Sequence, residues 1–189
     1  MARITLPRQS DLPEEYRYLL GEDALGELEL LRAIGSNPRV LQTYMRHGTA
    51  LWEHAGLSSR EVELAILSVA RELDNEYEWH QHVGIARDAG VESTEIRAIG
   101  AERHDGFGAR DRALLDYARR VARRDVDDDA HGAIEAHFDE ETIAGIASLV
   151  GHYLGTAVVI DALALGPETP FVGWEPADET IETYDREGA

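Results

Sequence analysis

Residues 59–90, SREVELAILSVARELDNEYEWHQHVGIARDAG, constrain the fold more than any other stretch of the chain. Two helical patterns meet at Asp74 and Asn75, and each sets an ionisable residue on its apolar side. Glu63 shares a face with Ile66, Leu67 and Ala70, the i, i+3, i+4, i+7 spacing of a buried stripe. His82 sits among Trp79, Val83 and Ala86 by the same spacing. A carboxylate or an imidazole in apolar surroundings costs free energy unless it has a partner. The nearest partner for each is the other.

An antiparallel hairpin about Asp74 brings them together. Glu63, eleven residues before the turn, mirrors position 85, and His82 is three residues from that point. The axial offset is about 4.5 Å, within side-chain reach. Glu78 precedes His82 by one helical turn. The pattern therefore predicts one polar cluster, Glu63–His82–Glu78, between two apolar faces.

The rest of the chain reads as further helices. Asn37 and Pro38 supply an N-cap and a first-turn proline for a helix running to about His54. Ser58 with Glu61 forms a capping-box signature, and Asn75 with Glu78 a looser one. Gly90 is placed as a residue just past a helix end. Short helices are expected over 13–20, 26–34, 93–100 and 130–138, and a longer one over 110–124. Residues 139–165 are apolar enough to suggest a membrane span. His152 and Asp161 interrupt them and no basic cluster flanks them, so a central core helix is expected. Gly151 and Gly155 form GxxxG, which permits close approach of another backbone. No strand alternation is visible, and the expected fold class is all-α. Three segments are expected: a lead-in over 1–24, a helical domain over 25–166 and an acidic tail over 167–189. Phe171, Val172 and Trp174 are expected to pin the tail to the domain or to a neighbouring subunit. The last dozen residues are expected to be mobile.

Charge and composition narrow the function classes. Among 189 residues, 37 are acidic and 18 basic, giving a formal charge of −19, and every basic residue is Arg. That balance disfavours nucleic acid and anionic membranes as partners. It also points to salt adaptation, since salt screens self-repulsion. The thermal midpoint is expected to rise between low and molar salt; an unchanged midpoint would count against this. The N-terminal residues show no charged-then-apolar leader pattern, so a cytoplasmic location is expected. The chain has no Cys, which removes disulfides, thiolate metal sites and thiol nucleophiles.

The hairpin resembles the carboxymuconolactone decarboxylase family, which shares the AhpD-like helical fold. Arg60-Glu61 with Glu63, and EYEWHQHVGIARDAG over 76–90, carry the resemblance. ALLDYARRV (113–121) and the apolar run over 138–165 are similar to the closing helices of the family. The resemblance implies an AhpD-like bundle, a homo-oligomer (trimer or hexamer) and a relay in which Glu63 and His82 take the glutamate and histidine positions. Thiol peroxidases of this superfamily carry Cys-x-x-Cys where this chain has Asn75 and Glu78. Disulfide-linked peroxide reduction is therefore not open to these residues. The decarboxylase branch, which needs no cofactor, fits better.

That branch implies a small carboxylated lactone or related acid as substrate, decarboxylated and reprotonated by Glu63, His82 and Glu78 without a metal or cofactor. Burial favours the neutral forms of the pair and mutual attraction the charged ones, so a shared proton near neutral pH is expected. Tyr77, Trp79 and Arg60 are the candidate substrate-binding residues, with Arg71 and Arg87 as further cations. His80 is expected to face solvent, and His152, which could line the same cavity, is expected to be buried packing. His47, His54, His104, His131 and His137 are expected at the surface or rim. Two alternatives stay open: a divalent-metal site on Glu63, Glu78 and His82, and a non-catalytic oligomeric scaffold in which the pair fixes helix register.

Overall fold

The computed structural model describes residues 1–21 and 24–183. After two short 3-10 segments, Gln9–Asp11 and Glu14–Leu20, the chain forms α1 (Glu29–Gly35), α2 (Pro38–His54), α3 (Ser59–Glu72) and α4 (Glu76–Asp88). It continues with α5 (Ser93–Gly100), α6 (Ala109–Arg123), α7 (Asp128–Glu135), α8 (Glu140–Leu163) and α9 (Asp178–Thr183). The described residues contain no strand.

The helices start where side chains satisfy otherwise orphaned amide groups. Asn37 accepts from the Val40 amide and Asn75 from the Glu78 amide. Ser58 and Glu61 make the reciprocal capping box, and Asp139 caps α8 through the Thr142 amide. Between α3 and α4 the chain reverses at Asp74, whose φ is 49°. Asp tolerates this left-handed conformation better than most residues.

The middle of the bundle is α3, packed against α4, α5, α6 and α8. Every residue from 62 to 70 is buried, so this is not a helix with one apolar stripe but one enclosed on all sides. The single carboxylate of this enclosed stretch, Glu63, is fully buried. The inner face of α8 contributes Ile143, Ile146, Leu149, Val150 and Tyr153 to the same core. Its outer face exposes Ala144, Ser148, Gly151, Gly155 and Val158. By length and composition α8 is long and apolar enough to cross a bilayer, yet one face is built into the core.

The expected close approach at Gly151 and Gly155 is absent among the described residues, none of which lies within 4 Å of where their Cβ atoms would stand. The tight contact is nearly two turns earlier in α8. A Cβ on Gly145 would stand 2.4 Å from the Ala55 carbonyl oxygen, at the end of α2.

The lead-in and the tail both pack onto the helical body. Arg3 bonds the C-terminal end of α8, and Leu12, Leu19 and Leu20 cluster with Leu31 and Leu41. The tail crosses α4: Trp79 donates its indole N–H to the Gly173 carbonyl at 2.9 Å, and Trp174 stacks edge-on to Trp79. Phe171, Val172 and Trp174 thus pack on their own domain. The expectation for the last dozen residues is corrected in its first half. Residues 178–183 form α9, with Ile181 fully buried; residues 184–189 lie outside the described residues.

Candidate functional site

A cavity of about 570 Å³ opens between α2, α4 and α8, with the chain near Ala24, α1 and the start of the tail completing its wall. Its lining is mainly apolar and aromatic. Tyr44, Gly48 and Trp52, at successive turns of α2, form one side. Trp52 donates its indole N–H to the Tyr153 hydroxyl at 3.0 Å, tying α2 to α8.

Glu78 and His82 from α4 form the polar part of the wall. His82 Nδ1 lies 3.0 Å from Glu63 Oε2, within the hydrogen bond expected from the hairpin register. On the opposite edge of the ring, Nε2 lies 3.5 Å from Glu78 Oε2, longer than an ordinary hydrogen bond. The three predicted residues are therefore in line, Glu63 behind His82 and Glu78 beside it. Glu63 does not reach the cavity itself; it can act only through the imidazole. Because the carboxylates address opposite ring nitrogens, they do not converge on one point. No group of three His, Asp or Glu among the described residues is spaced to hold a metal ion.

Glu78 is the cavity carboxyl whose surroundings bring it close to neutral pH. Burial, with the charge of Glu63 adding to it and His82 opposing, pushes the carboxyl up to about 7. Its Oε1 is buried with no hydrogen-bond partner among the described residues, which favours the protonated form of the Glu78 carboxyl. The looser capping box expected at this helix does not form. Asn75 accepts from the Glu78 amide, but the Glu78 side chain turns to the cavity instead of back to the helix start. The same burial and the charges of Glu78 and Glu63 hold the Tyr153 phenol well above its usual range, so it stays protonated.

The candidate binding residues divide. Tyr77 lines the cavity, but its hydroxyl is engaged, accepting from the Leu30 amide and donating to Glu168 at 3.0 Å. Trp79 is fully buried on another face of α4, where it buttresses the tail. Arg60 points away, to Glu95 and Asp111 at 2.6 and 2.8 Å. Arg71 bonds the Gly100 carbonyl, Asp74 and Glu102, and Arg87 bonds Asp88 and the Ile181 carbonyl. No Arg lines the cavity among the described residues. The expectation that Arg60, or one of the other two, meets an anionic substrate is therefore corrected: each guanidinium is consumed by nearer acceptors.

Three histidine expectations also change. His80 is buried, not solvent-facing, because the tail covers it; its Nδ1 accepts from the Val172 amide and its Nε2 lies 2.9 Å from the Thr169 hydroxyl. His104 is buried against Asp116 at 3.0 Å. His152 proves to line the cavity. The aromatic positions 44 and 52, eight apart on one helix with a glycine midway, are the sequence signal that would have marked the α2 wall. Glu168 and Thr169 had no such signal.

Residues 38–120 match the carboxymuconolactone decarboxylase family model. Among solved structures, an uncharacterized peroxidase-related protein with an AhpD core from Ralstonia eutropha JMP134 is similar at 18% identity, covering 93% of this chain and 98% of that one, with a TM-score of 0.76. A peroxidase-related protein from Silicibacter sp. TM1040 is similar at 22% identity, over 91% and 94%, with a TM-score of 0.76. The debrominase Bmp8 is similar at 15% identity, over 88% and 92%, with a TM-score of 0.74. The comparison with curated proteins finds no match. Identities this low speak to fold alone, and the fold they share is the all-helical AhpD-like one. The Glu63–His82 hairpin falls within the residues 38–120 that match the carboxymuconolactone decarboxylase family model, and the chain as a whole has the all-helical AhpD-like fold.

Proposed function

We propose that the cavity is the active site of a cofactor-free lyase that removes CO₂ from a small, largely apolar β-keto acid or carboxylated lactone bearing one carboxylate. The single observation that carries this reading is Glu78. It is a buried carboxyl that holds its proton up to about pH 7, beside an imidazole anchored from behind by Glu63. An acid poised near the working pH is suited to protonating carbon.

The chemistry balances without a co-reactant. The bond between the carboxylate carbon and the α-carbon breaks, CO₂ leaves, and the electron pair passes into an enolate. The α-carbon then takes the proton of Glu78. Water resupplies that proton, with His82 stabilising the transient Glu78 carboxylate. An apolar wall without Arg favours the dispersed charge of the enolate over a localised carboxylate. It also disfavours a substrate with two or three carboxylates, each of which would need a counter-ion.

Benzoylacetate, an aromatic β-keto monocarboxylate, is a suitable probe. The expected result near neutral pH is release of acetophenone and CO₂ faster than the spontaneous rate. No acceleration with this or any other β-keto monocarboxylate or monocarboxylated lactone would sink the lyase reading and leave the scaffold alternative standing.

We also propose that the protein works as a homo-oligomer, trimer or hexamer, with the exposed small-residue face of α8 as the contact. Light scattering in molar salt should give a multiple of the 21.0 kDa chain mass; a monomer mass would refute it.

A further inference from the structure

Three histidines line the cavity, and they are not equivalent. Both ring nitrogens of His82 face protein carboxylates, and both of His80 are engaged by the tail. His152, on α8, has no hydrogen-bond partner for its ring among the described residues, yet it lies half-buried in the cavity wall. Its ring is held by contacts with other rings: Tyr44 at 4.7 Å, His47 at 5.2 Å and Tyr153 at 5.4 Å between centroids. Gly48, in the middle of α2, faces its Nε2; a Cβ there would stand 3.4 Å from that atom. Glycine is a poor residue for a helix interior, and at this position it leaves more room beside Nε2 than any side chain would.

We propose that His152 holds the carbonyl oxygen of the substrate, donating a ring N–H to the oxygen that becomes the enolate oxygen while Glu78 protonates the adjacent carbon. The proposal rests on the lyase reading of Glu78 for its second half only. Tyr153 links the two stations, lying 5.2 Å from the His82 ring and 5.4 Å from the His152 ring. Tyr44, in contact with His152, is close enough to Glu78 for that charge to raise its phenol further. A molecule of modest size can therefore touch both groups. Burial and the neighbouring His47 bring His152 down to about 4, so at neutral pH it is an uncharged donor. A neutral imidazole stabilises an enolate oxygen without giving up its proton to water.

The test separates carbonyl recognition from cavity shape. Acetophenone and ethylbenzene have similar size and differ in the carbonyl. Their binding to the wild-type chain and to His152→Leu is measured by quenching of tryptophan fluorescence, Trp52 being in the wall. Loss of one hydrogen bond should weaken acetophenone by about 3- to 10-fold and leave ethylbenzene unchanged. His152→Gln, whose amide can donate, should recover most of the difference. Equal weakening of both ligands, or no weakening of acetophenone, overturns the proposal, and so does failure of acetophenone to bind the wild-type chain. Turnover of benzoylacetate without ketone selectivity would leave the lyase reading intact and remove His152. Ketone selectivity without turnover would keep His152 as the carbonyl-binding residue and remove Glu78 as the acid.

Discussion

Glu78→Gln should lower CO₂ release from benzoylacetate by about 10²–10⁴-fold, the usual contribution of a positioned acid, while the helices remain intact. The amide fills the same space and can still hydrogen-bond, but it has no proton to deliver. His82→Gln should cause a comparable collapse, because the imidazole stabilises the Glu78 carboxylate after transfer. Glu63→Gln should cost less, since Glu63 is fully buried behind the ring and acts only by holding it. Full turnover in both Glu78→Gln and His82→Gln would make the cluster a device for helix register.

The same substitution carries an opposite signature in stability. The Glu78 carboxyl holds its proton up to about 7 in the folded chain against an ordinary value of 4.5. Below 4.5 it is protonated in both states. As pH rises toward 7 the unfolded chain releases the proton and the folded one retains it, so wild-type stability falls through that window and stays lower above it. The Gln variant lacks this loss. Its unfolding midpoint relative to wild type should therefore climb between pH 5 and 8, by up to about 3 kcal/mol, or on the order of 5–10 °C. A pH-independent difference would mean that Glu78 is not the neutral acid described.

Gly145→Ala should be the most destabilising of the glycine substitutions in α8. The added Cβ would meet the Ala55 carbonyl oxygen at 2.4 Å and its C and Cα atoms at 2.8 Å. These are backbone atoms and cannot swing aside, so α8 must move away from the end of α2. Overpacking of this kind costs about 1–3 kcal/mol, read as a midpoint lowered by roughly 3–10 °C. Activity should fall too, because Trp52 on α2 and Tyr153 on α8 are joined by a 3.0 Å hydrogen bond beside the cavity. Gly132→Ala in α7 serves as the control: nothing lies within 4 Å of that Cβ, and helix propensity alone should stabilise by up to about 1 kcal/mol. A Gly145→Ala chain as stable as wild type would show that the α2–α8 contact is loose.

The contrast between the two carboxylates shows how far sequence reasoning reaches. The pairing of Glu63 with His82 follows from helical period and hairpin register, both local quantities. The i, i+4 relation of Glu78 to His82 is fixed within a single helix. Which of the two carboxylates lines the cavity was not legible. It depends on α3 being enclosed by four other helices, and no residue of 59–90 encodes where those helices lie. Arg60 shows the same limit: its partners Glu95 and Asp111 belong to other helices, and an exposed-looking guanidinium pairs with whatever carboxylate the fold delivers.

By itself the sequence determined the helices and their caps, because Asn37, Ser58, Asn75 and Asp139 satisfy orphaned amides within three residues of themselves. It determined the buried Glu63–His82 pair for a similar reason: one short turn sets the register of the two helices that carry it. It excluded thiol chemistry outright by containing no Cys. Only the tertiary structure decided that His80 is covered, that His152 looks into the cavity and that every nearby Arg is occupied. The two histidine outcomes depend on segments about 90 to 110 residues apart, the tail over α4 and α8 against α2; the Arg outcome depends on carboxylates and carbonyls brought in largely from other helices. Burial across such distances leaves no periodic trace in either segment, since what covers a helix face is the remainder of the packed chain.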